Sequence, residues 1–166
     1  MKTDTAKKIV TIEALLPLVE QLRATGKTIV TANGCFDIDH AGHVDGLEWA
    51  GKQGDVLIVG LNSDRSVREN KGGKRPILPE AERTRALAGF EAVDYVFVFD
   101  TKGPISWIER LRPNIHVKGP DSDKSPAFEP EKAAVEAHGG EVRLAPRVYN
   151  RSTTSIIDKV LATYEE

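Results

Sequence analysis

A single cysteine, Cys35, leaves no partner for an internal disulfide and no cysteine pair with metal-ligand spacing. A reducing, cytoplasmic setting is therefore expected. Long apolar runs are also missing: nothing approaches the roughly 20 residues of a membrane span, and the polar stretch Met1 to Lys8 lacks the apolar centre of a signal peptide. No charge of one sign dominates. With 23 basic against 25 acidic side chains, the formal net charge is -2, so the footprint of a nucleic-acid binder is absent, although a local cluster of cations can still hold a small phosphate. Repeats, low-complexity segments and linkers are lacking too. What remains is an ordinary globular composition, 40% hydrophobic and 29% charged, in 166 residues. That length predicts one domain over 1–166, with its core at about 27–160.

The chain is organised around Asn33 to His43. Thr28 to Ala32, a β-branched run between Gly26 and Gly34, reads as a buried strand, and Val44, Leu47 and Ala50 recur at helical spacing beyond it. His40 and His43 thus fall where a strand's carboxyl end meets a helix amino end, the place where parallel sheets bind ligands and free backbone N–H groups favour anions. Three residues apart, with Gly42 admitting close approach of a ligand, both rings can face one side and donate to phosphate oxygens. The opposing reading is one capping and one solvated histidine. Cys35, without a base near it in sequence, reads as a small packed residue.

The other elements alternate. Thr11 caps a first helix, with Pro17 as a kink or a later start, and Asp55 to Asn62, with its continuous apolar run Val56-Leu57-Ile58-Val59, forms a strand buried on both faces. Arg65 to Asn70 is a short helix, and Lys71-Gly72-Gly73-Lys74-Arg75-Pro76 a mobile basic loop suited to an anion that is enclosed and released. A helix from Pro79 to Phe90 carries Arg83; then come a strand at 93–99 and a helix at 104–111 with Ile105, Ile108 and Leu111 inward and Trp107 flanking. Strands at 115–118 and 141–144 enclose a helix at 129–138, and a last helix starts at Arg151-Ser152-Thr153-Thr154. Ser152 or Thr153 can be a plain N-cap, with Asp158 too far on for a capping box, but three hydroxyls exceed one cap and, paired with His40 and His43, make a second phosphate cradle. The expected fold is α/β, a single Rossmann-like domain with a five-stranded parallel sheet and helices on both faces.

Gly34-x-Phe36-Asp37, His40-x-Gly42-His43 and the later Ser152-Thr153-Thr154 resemble the motifs of the cytidylyltransferase-like nucleotidyltransferases, over about Lys27 to Val160. Arg75-Pro76 before Glu82-Arg83, and Val117-Lys118-Gly119 with Asp121, are similar to the heptose 1-phosphate adenylyltransferases of lipopolysaccharide synthesis, a subgroup sometimes fused to a sugar kinase, which these 166 residues do not include. The resemblance implies that D-glycero-β-D-manno-heptose 1-phosphate attacks the α-phosphorus of ATP in line, giving ADP-heptose and pyrophosphate. Magnesium would be held mainly by the substrate phosphates.

By the same resemblance His40, His43, Lys71 and Arg83 are catalytic. Asn33, Gly34, Cys35, Phe36, Gly42, Lys118, Asp121, Ser152, Thr153 and Thr154 bind the nucleotide. Asp37 reads the sugar hydroxyls, with Lys74 and Arg75 on the sugar phosphate. Asp39, Pro120 and Arg151 depart from the family pattern, and Asp39 would either raise the pKa of the neighbouring His40 or face water. The expected partners are ATP, a sugar phosphate and a second copy in a homodimer, with no nucleic acid and no membrane. A glycerol-3-phosphate or other polyol-phosphate cytidylyltransferase is the alternative enzyme, and a non-catalytic nucleotide sensor the alternative of another class.

Overall fold

The alternating strands and helices assemble, in a computed structural model that describes residues 4–165, into one parallel sheet covered on both faces. Its strands are β1 (Ile29–Gly34), β2 (Val56–Asn62), β3 (Tyr95–Phe99), β4 (Ile115–Lys118) and β5 (Glu141–Leu144). The helices are α1 (Ile12–Ala24), α2 (Ala41–Gly51), α3 (Asp64–Lys71), α4 (Glu80–Ala88), α5 (Ile105–Leu111), α6 (Phe128–Glu136) and α7 (Thr153–Tyr164). The expected α/β, five-stranded architecture is what forms.

Spatial order is β3-β2-β1-β4-β5, all parallel. The chain steps outward from β1 to β2 and β3, then crosses back to lay β4 and β5 on the other side of β1. Connections therefore leave β1 and β4 in opposite directions, and a crevice opens beyond their carboxyl ends.

Each central strand feeds two cores because its side chains alternate between faces. Val30 and Ala32 of β1 and Leu57, Val59 and Leu61 of β2 pack with Leu47 and Ala50 of α2 and Leu87 and Ala88 of α4. On the opposite face, Ile29 and Ile58 meet Leu15 and Val19 of α1, Ile108 and Leu111 of α5, and Val135 of α6. Each such aliphatic side chain contributes roughly 1.5–3 kcal/mol on burial.

Trp107 belongs to this second core and does not flank it. It is 2% exposed and stands edge-on to Phe97, ring centroids 5.3 Å apart. A Cβ at Gly60 would lie 3.1 Å from its Cζ2, so that glycine helps to make room for the indole. Thr11 caps α1 as expected, its Oγ1 accepting the Ala14 N–H at 3.2 Å. Pro17 neither delays nor ends the helix: Pro17 and Glu13 face solvent, where water can take the freed carbonyl.

α7 differs from the other helices. It buries none of its residues fully, and Val160 and Leu161 are half exposed. Its first turn is tied to the loop between β1 and α2, where Thr153 Oγ1 donates to the Ile38 carbonyl at 3.5 Å. Among the described residues no helix is long and apolar enough to cross a membrane.

Candidate active site

The crevice at the switch point is a cavity of about 670 Å³. Asn33 and Gly34 enter it from β1, Lys118 and Gly119 from β4, His40 and His43 from the start of α2, and Ser152, Thr153 and Thr154 from the start of α7. Two helix amino ends, with their unpaired N–H groups, thus face one space.

His40 is the N-cap of α2, its Nδ1 accepting the Gly42 N–H at 3.1 Å. His43 stacks on it, with centroids 4.0 Å and planes 24° apart, and Phe36 leans on His43 at 5.2 Å. Capping and ligand binding, which compete as readings of the sequence, coexist here: the cap uses only Nδ1 and leaves Nε2 on a ring that lines the cavity. Gly42 leaves room for the capping ring, since a Cβ there would lie 3.0 Å from His40 Cε1 and the ring would have to give way. Phe36 adopts φ +44°, a left-handed backbone costly for an aromatic residue and tolerated where the loop is tightly held. Burial lowers the His40 pKa, His43 and Arg151 lower it further, and Asp39 opposes them. Asp39 makes its contact with the second histidine, its Oδ1 lying 3.3 Å from His43 Nδ1.

The structure corrects the role expected of Asp37. Its carboxylate is 1% exposed and already filled: Oδ1 accepts the Ile77 and Leu78 N–H groups at 2.8 and 2.9 Å, while Oδ2 accepts from Ile77 at 2.9 Å and Arg75 Nε at 2.5 Å. No lone pair is left for a sugar hydroxyl. Despite its burial, which raises the pKa, these bonds hold it below the usual carboxylate value. Asp37 anchors the basic loop to the signature loop.

Arg83 is corrected likewise. Fully buried, it donates through Nε to the Leu78 carbonyl, through Nη1 to the carbonyls of Cys35 and Asn62, and through Nη2 to Asp64. That engages four of the five N–H groups of the guanidinium, so Arg83 braces three loops behind the site and does not reach a phosphate. Of the basic loop, Lys71 and Arg75 line the cavity; Lys74 is exposed and outside its lining. Cys35 lines it too, its thiol pKa raised by burial against the pull of Lys71, Arg83 and Arg75.

On the other side, Lys118 Nζ is held between Glu131 Oε2 at 2.5 Å and Asn33 Oδ1 at 3.4 Å. Asp121 is paired with Lys124 at 2.7 Å and with Arg147. Sequence reasoning passed over Glu131 and Arg147. Glu131 left a signal, a carboxylate on the face of α6 that also carries Ala134 and Val135 inward. Arg147 left none, because its partner Asp121 is distant in sequence.

The first turn of α7 holds a capping box that sequence reading ruled out by looking for an acid. Ser155 serves in its place: Ser152 Oγ accepts the Ser155 N–H at 3.1 Å, and Ser155 Oγ accepts the Ser152 N–H at 3.0 Å. Ser152 is thereby committed to the cap; Thr153, whose hydroxyl donates to Ile38, and Thr154 line the cavity beside it.

Comparison with known proteins agrees with this geometry. The chain is 48% identical over 164 residues to the bifunctional protein HldE of Geobacter metallireducens, covering 99% of this chain and 33% of that protein. It is 47% identical over 152 residues to the bifunctional protein HldE of Koribacter versatilis, covering 92% and 31%. The chain thus spans about a third of the length of the curated relatives it matches. Among solved structures, the lipopolysaccharide core biosynthesis protein of Thermoplasma volcanium superposes with a TM-score of 0.60 at 28% identity, covering 72% of this chain and 94% of that one. A pantoate-beta-alanine ligase of Francisella tularensis shares the fold, with a TM-score of 0.63 at 15% identity over 95% of this chain and 78% of its own. A profile of the cytidylyltransferase-like family matches residues 31–159, the span from β1 to α7 that builds the cavity, and with its paired histidines at the switch point the chain belongs to that family.

Proposed function

We propose that the chain is an adenylyltransferase that joins ATP to D-glycero-β-D-manno-heptose 1-phosphate, releasing pyrophosphate and giving ADP-heptose for lipopolysaccharide precursors. The observation that carries the reading is the pairing, in one cavity, of stacked imidazoles at the start of α2 with the hydroxyl-bearing start of α7. A triphosphate needs donors at both ends and cations between. The N–H groups of α2 and the two histidines suit the α- and β-phosphates, and Thr153, Thr154 and Arg151 the outer ones. Lys71 and Arg75 line the side from which an anionic sugar phosphate would enter. Heptose as the acceptor rests on the resemblance of the Arg75-Pro76 and Val117-Lys118-Gly119 segments, and on the likeness to a lipopolysaccharide core biosynthesis protein.

The attacking phosphate is already an anion at neutral pH, so the reaction calls for position and charge and needs no base or covalent intermediate. In-line attack places the nucleophile opposite the leaving pyrophosphate. The residues of this chain would hold the two anions together, with Asp37 and Arg83 keeping the loops in register behind them.

Magnesium would ride on the triphosphate. Such an ion keeps several of its waters and takes phosphate oxygens. When bound, it supplies charge neutralisation on the phosphates.

The test is pyrophosphate release by the purified chain with ATP or CTP against heptose 1-phosphate, glycerol 3-phosphate and hexose 1-phosphates. ATP with heptose 1-phosphate should exceed every other pair by at least about a hundredfold in kcat/KM. Preference for CTP and a polyol phosphate would replace the reading with a cytidylyltransferase; nucleotide binding without release would replace it with a sensor.

A further inference from the structure

The two histidines are chemically unequal. A backbone N–H only donates, so the bond from Gly42 to His40 Nδ1 puts the lone pair on Nδ1 and the ring proton on Nε2. A carboxylate only accepts. Asp39 Oδ1 lies 3.3 Å from His43 Nδ1, both atoms are buried, and neither makes a hydrogen bond among the described residues, so the carboxylate acts on the ring through its charge: a lone pair on Nδ1 would face it and a proton there is favoured. His43 therefore carries its proton on Nδ1 and turns a lone pair outward at Nε2, the reverse of His40.

The stack also allows only one charge. Rings 4.0 Å apart would set two imidazolium cations face to face. Burial disfavours a charge on His40, with His43 and Arg151 adding to it and Asp39 opposing them, whereas His43 has that carboxylate 3.3 Å from its own Nδ1. Of the other carboxylates lining the cavity, Asp37 and Asp121 are taken by Arg75 and Arg147. Asp45 pairs with no imidazole, and the facing cations Lys71 and Lys118 supply no acceptor.

We propose that Asp39 divides the work of the pair: His40 is a permanent Nε2–H donor, and His43 takes a proton on Nε2 when the triphosphate enters and returns it when pyrophosphate leaves. The inference rests on the reading of the cavity as a nucleotide site. One proton is taken from solvent on binding and one is released on departure; it makes or breaks no substrate bond. Asp39 touches no substrate and is a positioning residue.

Two measurements test this without turnover. Long-range proton–nitrogen correlation of the histidine rings in the free chain reads the tautomers, and calorimetry in buffers of different ionisation enthalpy counts protons taken up with α,β-methylene-ATP. The wild type should show bare Nδ1 at His40, bare Nε2 at His43, and uptake of about one proton. Asp39→Leu should lose the His43 tautomer and at least about two-thirds of the uptake. Asp39→Asn, whose amide oxygen still accepts, should keep the tautomer and lose the uptake. His43→Ala should abolish uptake and His40→Ala retain it. An Nε2–H tautomer at His43 in the wild type, or unchanged uptake in a folded Asp39→Leu, overturns the proposal. A chain that passes both tests yet transfers no nucleotide overturns the proposed reaction and leaves this inference standing.

Discussion

Replacing Asp37 with Asn keeps the shape of a side chain whose two oxygens accept four hydrogen bonds, from the Ile77 and Leu78 N–H groups and from Arg75. An amide offers one oxygen and one NH₂. Whichever way it turns, the NH₂ faces a donor, either Arg75 Nε or the Leu78 N–H, so at least one charge-assisted bond becomes a clash. Such a bond contributes about 1.5–3 kcal/mol, and leaving a nearly buried guanidinium unpaired raises the total to about 3–5 kcal/mol. The side chains are 0% and 14% exposed, so water repairs little of it. Against a typical domain stability of about 5–15 kcal/mol the variant should fold with a smaller margin. Urea denaturation reads the loss. Hydrogen exchange at Ile77 and Leu78 should quicken by about a hundredfold or more, and KM for ATP and for the sugar phosphate should rise together as the loop loosens. The loss should fade below about pH 4: with the folded pKa lowered, the carboxylate's contribution is present above its unfolded value and disappears as pH falls through the folded one. A stability change under about 1 kcal/mol, with only the sugar-phosphate KM raised, would refute the reasoning and return Asp37 to the substrate.

Arg83→Met should cost about 3–5 kcal/mol in urea denaturation, because it strands three carbonyls and Asp64; near-wild-type stability with lost turnover would make Arg83 a phosphate ligand after all. His40→Ala and His43→Ala should each lower kcat by about a hundredfold with intact circular dichroism, and unfolding of either would reduce the pair to a structural cap. Burial, with Lys118 adding to it, pushes the His116 pKa down to about 3. The unfolded chain, with a pKa of about 6.5, therefore binds this proton first, and stability should fall by up to about 1.4 kcal/mol per unit as pH drops from about 6.5 towards 3. His116→Phe should flatten that slope, and equal slopes would mean that the ring titrates inside the native fold.

The sheet was readable because its strands are continuous apolar runs bounded by glycine and polar residues, and Val56 to Asn62 falls within a residue of its expected limits. The place of the site followed as well, since strand-to-helix turns in a parallel sheet collect on one edge. Roles were harder to read than places. Asp37 and Arg83 have the residue types of ligand groups, and only their burial and filled hydrogen-bond capacity distinguish braces from contacts. Those properties come from the carbonyls and N–H groups of segments distant in sequence, which carry no side-chain signal. Glu131 could have been found from periodicity, as a charge in an apolar row. The capping box of α7 was missed because a serine does the work expected of an acid.

Direct, in-line transfer at the α-phosphorus is the claim on which the account stands, and the stereochemistry of that phosphorus tests it. Given heptose 1-phosphate and the Sp diastereomer of α-thio-ATP, the chain should yield the ADP-heptose analogue with inverted configuration at phosphorus and one equivalent of pyrophosphate. Retention of configuration would mean an enzyme-bound intermediate for which the cavity was given no nucleophile, and the absence of any nucleotide-sugar product would contradict the proposed activity itself.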